Sequence, residues 1–237
     1  MSHAALRGDH HVHSTFSDDA VSTLAENVAA AAAAGLTTVR LVDHVRQSTT
    51  WVPEYLAAVR ALVVPEGLTV LTGVEAKILD TSGGLDIPVL PEGIDRILIA
   101  DHQFPGIDGP LGPTAVRERI AAGWAAEDVL DQFVTALIAV MGRYPGNQLA
   151  HCFSILPKIG LSEDDLGDER IAAWARAAAE TDTLVEVNEK WGCPGIRSLM
   201  ALREAGAEIV ASTDSHVASD VGRYSRVIAL LDGEDRS

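Results

Sequence analysis

Lysine is scarce in this chain of 237 residues: Lys77, Lys158 and Lys190 are the only three. Lysine and arginine together number 18 against 34 aspartates and glutamates, a formal net charge of −16. So negative a protein is repelled by phosphate backbones and anionic membranes, because nucleic-acid binders gain affinity by neutralising phosphates. A nucleic-acid polymer or a membrane partner is therefore not expected, although a local basic pocket remains open. Metal ions held by some of those carboxylates would offset part of the charge. Two cysteines, Cys152 and Cys193, are too few for a disulfide framework and are expected as reduced thiols in the cytoplasm. No basic segment leads into an apolar one at the start, so no signal peptide is expected. The apolar run Val28–Ala34 stops at Gly35 and is too short to span a bilayer. The first strand ends in Asp9-His10-His11-Val12-His13, with no Gly-rich dinucleotide fingerprint after it.

Against these absences, 47% of the residues are hydrophobic, enough for a full core. The length fits one domain, expected over 1–237. Helix-like and strand-like segments alternate throughout. Helices are expected over Val21–Ala34, Tyr55–Val63, Ala125–Met141, Glu169–Glu180 and Ile196–Ala205. Strands are expected at Thr37–Val42, Leu68 to Glu75, Arg96–Ala100, Gln148–His151, Leu184–Asn188 and Glu208–Ser212. Gln103–Pro113 reads as a Gly/Pro-rich loop. Alternation of this kind specifies a parallel sheet covered by helices. About seven such units can close into a barrel; a doubly wound open sheet is the alternative, weakened by the missing fingerprint.

Of eight histidines, six fall at the C-terminal ends of expected strands: His11, His13, His44, His102, His151 and His216. Glu75 and Asp214 hold equivalent positions, and Asp18 lies in the first loop, next to the alternative Asp19. In an α/β barrel these ends converge on the face that carries active sites. His11 and His13 have the i, i+2 spacing that puts two side chains on one side of a strand, and Asp214 and His216 repeat it. A lone histidine at such a place is usually packed or hydrogen-bonded, but six at matching positions point to metal ligation. Imidazole with carboxylate suits Zn, Mn or Fe rather than Ca. Nine ligands exceed the needs of one ion, which suggests a cluster. His10 is expected to point away from its neighbours, and His3 is given no role.

At these residues the chain resembles the PHP (polymerase and histidinol phosphatase) superfamily. The matching segments, in order, are Asp9-His10-His11-Val12-His13-Ser14 with Phe16-Ser17-Asp18, then Val42-Asp43-His44, Leu149-Ala150-His151 and Ser212-Thr213-Asp214-Ser215-His216. Gly73-Val74-Glu75 and Asp101-His102 fall between them, and Val185-Glu186-Val187-Asn188 resembles the strand before the last motif of histidinol-phosphatase-like members. The resemblance implies a distorted seven-stranded (β/α)7 TIM-like barrel with two or three divalent transition-metal ions (Mn, Zn or Fe). Carried over position by position, the ligands are His11, His13, Asp18, His44, Glu75, His102, His151, Asp214 and His216, with Glu75 bridging. One departure is Cys152, where a proline commonly follows the motif histidine. The segment after the last motif is short, which leaves little room for a late substrate-binding element.

The resemblance further implies hydrolysis of a phosphate ester by a metal-bridging hydroxide, with Asp214 or His216 passing a proton to the leaving group. Length and acidity favour a small-molecule phosphate monoester, of the histidinol, nucleotide or sugar kind. Lys158, seven residues after His151, is the first candidate for the phosphate clamp, followed by Arg197 and Lys190, then Arg223. Lys77 also follows a strand end on that face. Trp191 and Phe104 are candidate walls for the organic part of the substrate, against the plainer reading of packing. Asp43 and Asp101, each directly before a ligand histidine, are expected to orient imidazoles or to cap strand ends. Two other readings stand beside this one: an amidohydrolase-type hydrolase of C–N or ester bonds, and a non-catalytic accessory module. The first usually needs a bridging lysine at a strand end, and no lysine precedes Lys77. The oligomeric state is left open.

Overall fold

A computed structural model describes residues 4–234; His3 lies outside them. In chain order the elements begin with β1 (Gly8–Val12), α1 (Leu24–Ala33), β2 (Thr38–His44), α2 (Val52–Arg60), β3 (Thr69–Lys77) and β4 (Arg96–Ala100). A small antiparallel hairpin follows, β5 (Phe104–Gly106) with β6 (Gly109–Leu111), then α3 (Pro113–Ala121), α4 (Ala126–Arg143) and β7 (Gln148–Ala150). The chain continues through α5 (Leu156–Ile159), α6 (Gly167–Glu180), β8 (Leu184–Asn188), α7 (Ile196–Ala205), β9 (Ile209–Ser212) and α8 (Arg226–Glu234). All pairings in the main sheet are parallel, in the order β1-β2-β3-β4-β7-β8-β9.

The sheet curls until its two edge strands meet. Val12 bridges Ser215, His13 N–H donates to the Ser215 carbonyl at 2.8 Å, and Ser215 N–H returns to the His11 carbonyl at 3.4 Å. Asp9 reinforces the seam by accepting from Thr213 N–H and Oγ1 and from Gly222 N–H. Its burial raises its pKa to about 6, against the lowering effect of those donors. The result is a nearly closed seven-stranded barrel, which decides against the open sheet.

Strand alternation divides the core in two. Val39 and Leu41 of β2 face outward onto α1 and Tyr55, while Val42 of the same strand faces the bore with Leu98, Ala100 and Ala150. The largest apolar cluster packs α4, α6 and α7 on the barrel through Phe133, Leu137, Trp174 and Leu199. Helix ends follow local chemistry. Thr23 and Glu26 form a capping box that starts α1 three residues later than the apolar pattern suggests. Gly35, at φ +74, stops it.

Three helices, α3, α5 and α8, and the hairpin were not legible in the sequence. α3 buries only Val116, so it has almost no apolar stripe to read. The hairpin sits in what reads as a Gly/Pro loop, held to α4 by Gln132 donating to the Pro105 carbonyl. Its first residue, Phe104, is fully buried against Phe133 and Trp124. Phe104 is thus core packing and not a substrate wall. No helix among the described residues is long and apolar enough to cross a membrane.

Candidate metal centre

The strand ends place the expected side chains around one point. His44 closes β2 directly opposite Glu75 of β3. His11 and His13 come from the end of β1, and their Nε2 atoms lie 3.0 Å apart. Glu75 sits between the two halves of the site. Its Oε1 is 3.1 Å from His102 Nε2 and 3.0 Å from His151 Nε2. Its Oε2 is 2.7 Å from His44 Nδ1 and 3.5 Å from the Nε2 atoms of His11 and His13. Asp214 Oδ1 closes the other side, 3.3 Å from His13 Nε2 and 3.6 Å from His216 Nδ1. Three overlapping sets emerge, each with ligand atoms within 4.8 Å of one another: His13, His44 and His216; His11, His13 and Asp214; His44, Glu75 and His102.

The proton positions test whether these residues fit a cation. His11 Nδ1 lies 3.1–3.2 Å from both oxygens of Glu186, an acceptor-only group, so Nδ1 carries the hydrogen. His13 Nδ1 faces Ser17 Oγ at 3.3 Å, whose own proton goes to Asp43. Both rings therefore turn Nε2 lone pairs toward each other, an arrangement that repels unless a positive charge lies between them. A proton is the smallest such charge. Burial disfavours the His11 cation, yet Glu186 and Glu75 outweigh it and hold its pKa well above the usual histidine range. Burial and the neighbouring His11 charge lower His13 to about 3, despite Asp214. Glu75 stays ionised, because the pull of His102 and His11 exceeds the burial penalty. Its Oε2 is fully enclosed, yet no donor is aligned to hydrogen-bond it. Clustered imidazole nitrogens and an unsatisfied buried carboxylate oxygen fit divalent transition metals.

The local backbone is forced into this arrangement. His151 (φ 31) and Asp214 (φ 53) both lie in the left-handed region, which costs non-glycine residues roughly 1–3 kcal/mol each. Glu186 helps to hold His151 there by accepting its backbone N–H at 2.6 Å. The same carboxylate accepts from Gln148 Nε2 and Asn188 Nδ2, both at 2.8 Å. In the sequence Glu186 reads only as part of a strand. The missed signal is a carboxylate at an inward position between Val185 and Val187, where only a paired charge can be buried.

Other expected positions are resolved by geometry. The carboxylate that reaches the site from the first loop belongs to Asp19, not Asp18. Asp19 Oδ2 lies 3.2 Å from His216 Nε2 and 3.4 Å from His44 Nε2, while Asp18 lines the cleft beside it. The two neighbours sit in a turn, where one residue of offset reverses the side chain's direction, and spacing alone does not choose between them. Arg197 is turned elsewhere: it donates to the carbonyls of Glu163 and Asp164 and pairs with Asp168 at 3.6 Å. It therefore does not serve as a clamp at the cluster. Lys190 Nζ stands 3.3 Å from Asp214 Oδ2 and 3.4 Å from His216 Nδ1. Trp191 Nε1 donates to the same Asp214 oxygen at 3.0 Å, and Lys158 Nζ lies over the Trp191 ring at 3.9 Å. Arg223 and Lys190 line a cleft of about 480 Å³ against Asp214 and His216. Lys77 is paired with Asp86 at 3.4 Å, across the site. His10 belongs to none of the three ligand sets, and burial beside Arg40 lowers its pKa to about 4.

Fold and site together define a TIM-like barrel whose strand ends fit a cluster of metal ions. The model of the PHP domain matches residues 9–190, and the chain belongs to that family. The match stops before Asp214 and His216, which only the closed barrel brings to the site. The chain is 28% identical over 238 residues to a probable phosphatase of Acetivibrio thermocellus, covering 96% of this chain and 86% of the relative. It is 27% identical to a probable phosphatase of Shewanella sediminis, covering 94% and 84%. Among solved structures, histidinol phosphate phosphatase from Lactococcus lactis, complexed with zinc, L-histidinol and phosphate, superposes with a TM-score of 0.67 at 16% identity. That alignment covers 97% of this chain and 92% of the other, and it shows that the fold is shared.

Proposed function

We propose that the protein is a metal-dependent phosphatase that hydrolyses a small-molecule phosphate monoester, working in the cytoplasm with two or three Mn, Zn or Fe ions. The observation that carries this reading is the junction at Glu75, where one carboxylate reaches two groups of imidazoles through its two oxygens. Bound ions would supply an activated water and neutralise the phosphoryl oxygens. His11, His13, Asp19, His44, Glu75, His102, His151, Asp214 and His216 would hold them.

The chain's own residues do the remaining work. Lys158, Lys190 and Arg223 stand on the Asp214 and His216 side, where cations can neutralise a phosphate monoester. Lys158 rests on the exposed Trp191 indole, with no carboxylate partner among the described residues, so it can swing to an incoming anion at little cost. His216 is partly exposed beside that cleft, on the side where a leaving group would stand. A cleft of this size suits a metabolite, and the charge of −16 disfavours a polyanion. Two buried free thiols, Cys152 and Cys193, support a reducing compartment. The amidohydrolase reading usually needs a bridging lysine at a strand end, but here Glu75 reaches both groups of imidazoles, and Lys77, which closes the same strand, is paired with Asp86.

The test is a screen of amino-alcohol, sugar and nucleotide monophosphates beside single- and double-stranded DNA, with added Mn, Zn or Fe at physiological salt. At least one monoester should be turned over far faster than any polymer. Release of nucleotides from an oligonucleotide at the rate of the best monoester would contradict the reading. In the same assay Lys158→Ala is expected to lower kcat/KM by roughly 10- to 100-fold with metal content unchanged. Wild-type kinetics would move the clamp to Lys190 and Arg223.

A further inference from the structure

Two histidines of the cluster are held from behind by the same three-part device. Behind His13, Nδ1 faces Ser17 Oγ at 3.3 Å, and Ser17 Oγ donates to Asp43 Oδ1 at 2.7 Å. Behind His151, Nδ1 faces Ser154 Oγ at 3.1 Å, and Ser154 Oγ donates to Asp101 Oδ1 at 2.6 Å. All six residues are buried. The plan is repeated in the fold as well as in the distances. Each serine follows its histidine in the same strand-end turn, and each aspartate lies within one residue of the end of the neighbouring strand, directly before another candidate ligand, His44 or His102. β1 neighbours β2, and β7 neighbours β4.

We propose that Ser17 and Ser154 are positioning residues, whose hydroxyls fix the tautomer of His13 and His151 so that Nε2 is the atom offered to a metal ion. A serine hydroxyl has one hydrogen and two lone pairs. Asp43 already accepts from Ser14 N–H and Ser14 Oγ, and Asp101 accepts from Ile155 N–H; both are acceptors here. Each serine proton is therefore committed to its aspartate, and only lone pairs remain for the ring. Ser17 Oγ is filled completely, since it also accepts His44 N–H at 3.0 Å. An imidazole facing such an oxygen must carry a hydrogen on Nδ1, which leaves Nε2 as the atom turned to the cluster. Nε2 is the atom that lies 3.0 Å from His11 Nε2 in one ring and 3.0 Å from Glu75 Oε1 in the other. His11 reaches the same state through Glu186 directly, so the hydroxyls extend to two further rings what the carboxylate does for one.

This inference rests on the metal-centre reading, and its test separates the two. Zinc affinity is measured by chelator competition for the wild type and for Ser17→Ala, Ser154→Ala, Ser17→Thr and Ser154→Thr. Nitrogen-15 spectra of the histidine rings report the tautomer of each zinc-loaded protein. Each alanine variant should bind zinc roughly 10- to 100-fold more weakly, the usual effect of losing a partner behind a ligand. His13 or His151 should then lose its uniform Nδ1–H form, while the threonine variants keep both properties. Alanine variants with wild-type affinity and unchanged tautomers would overturn the proposal. So would threonine variants as weak as the alanine ones, because the hydroxyl would then not be what matters. A wild-type protein that binds no zinc, manganese or iron would instead overturn the metal-centre reading itself.

Discussion

Glu75→Gln is expected to lower turnover by about a thousandfold, some 4 kcal/mol in the barrier, and to remove more than one metal ion per chain. The reason is that Glu75 differs in kind from the histidines around it. An imidazole nitrogen serves one ion, whereas a carboxylate can join two. Glu75 divides its oxygens accordingly, Oε1 to His102 and His151 and Oε2 to His44, His11 and His13. Glutamine keeps the shape and loses the charge, and its NH₂ group brings hydrogens to where lone pairs are needed. Loss of a peripheral ligand offers the contrast: His44→Ala should cost about one ion and leave the others. Elemental analysis and kinetics on the same preparations check both expectations. Full metal content with most of the activity in the glutamine variant would remove Glu75 from the centre of the account.

Glu186→Ala is expected to cost about 3–5 kcal/mol of stability, the range seen when one partner of a buried charged network is removed. For a chain of this length that is a fall in melting temperature of roughly 10 °C. The carboxylate is fully buried and accepts from four groups: His11 Nδ1, Gln148 Nε2, His151 N–H and Asn188 Nδ2. Removing it strands all four without water and releases the left-handed backbone at His151. Metal affinity should fall with stability, because His11 loses the group that fixes its ring. Glu186→Gln should be milder in volume but still costly, since one amide oxygen cannot replace two carboxylate oxygens among four donors. Thermal melting of metal-free protein isolates the structural part. A melting temperature within a degree or two of wild type would show that water or a neighbour replaces the carboxylate.

The strand-end histidines were legible because they recur at one topological position, and the barrel then needs no long-range information to bring them together. His44 and Glu75 pair in register simply because each ends its strand. What was not legible depends on side-chain direction in turns and on partners remote in sequence. Asp18 and Asp19 are equivalent on spacing, and only the folded turn turns Asp19 to His44 and His216. Arg197 opens α7 on the correct face, yet the carbonyls of Glu163 and Asp164 capture it. Glu186 reads as one residue of a strand, because three of its four donors come from β1 and from the β7 segment, remote in sequence, and only Asn188 lies on its own strand. Ser17 and Ser154 carry no spacing signal at all, since serine is common in turns.

The most direct test of the central claim is anomalous diffraction at the Mn, Fe and Zn edges from crystals of protein purified without chelator. The account predicts two or three peaks among His11, His13, Asp19, His44, Glu75, His102, His151, Asp214 and His216, with Glu75 between two of them. Crystals reconstituted with each metal that show no peak at these residues, or a single ion that leaves Glu75 uncoordinated, would contradict it.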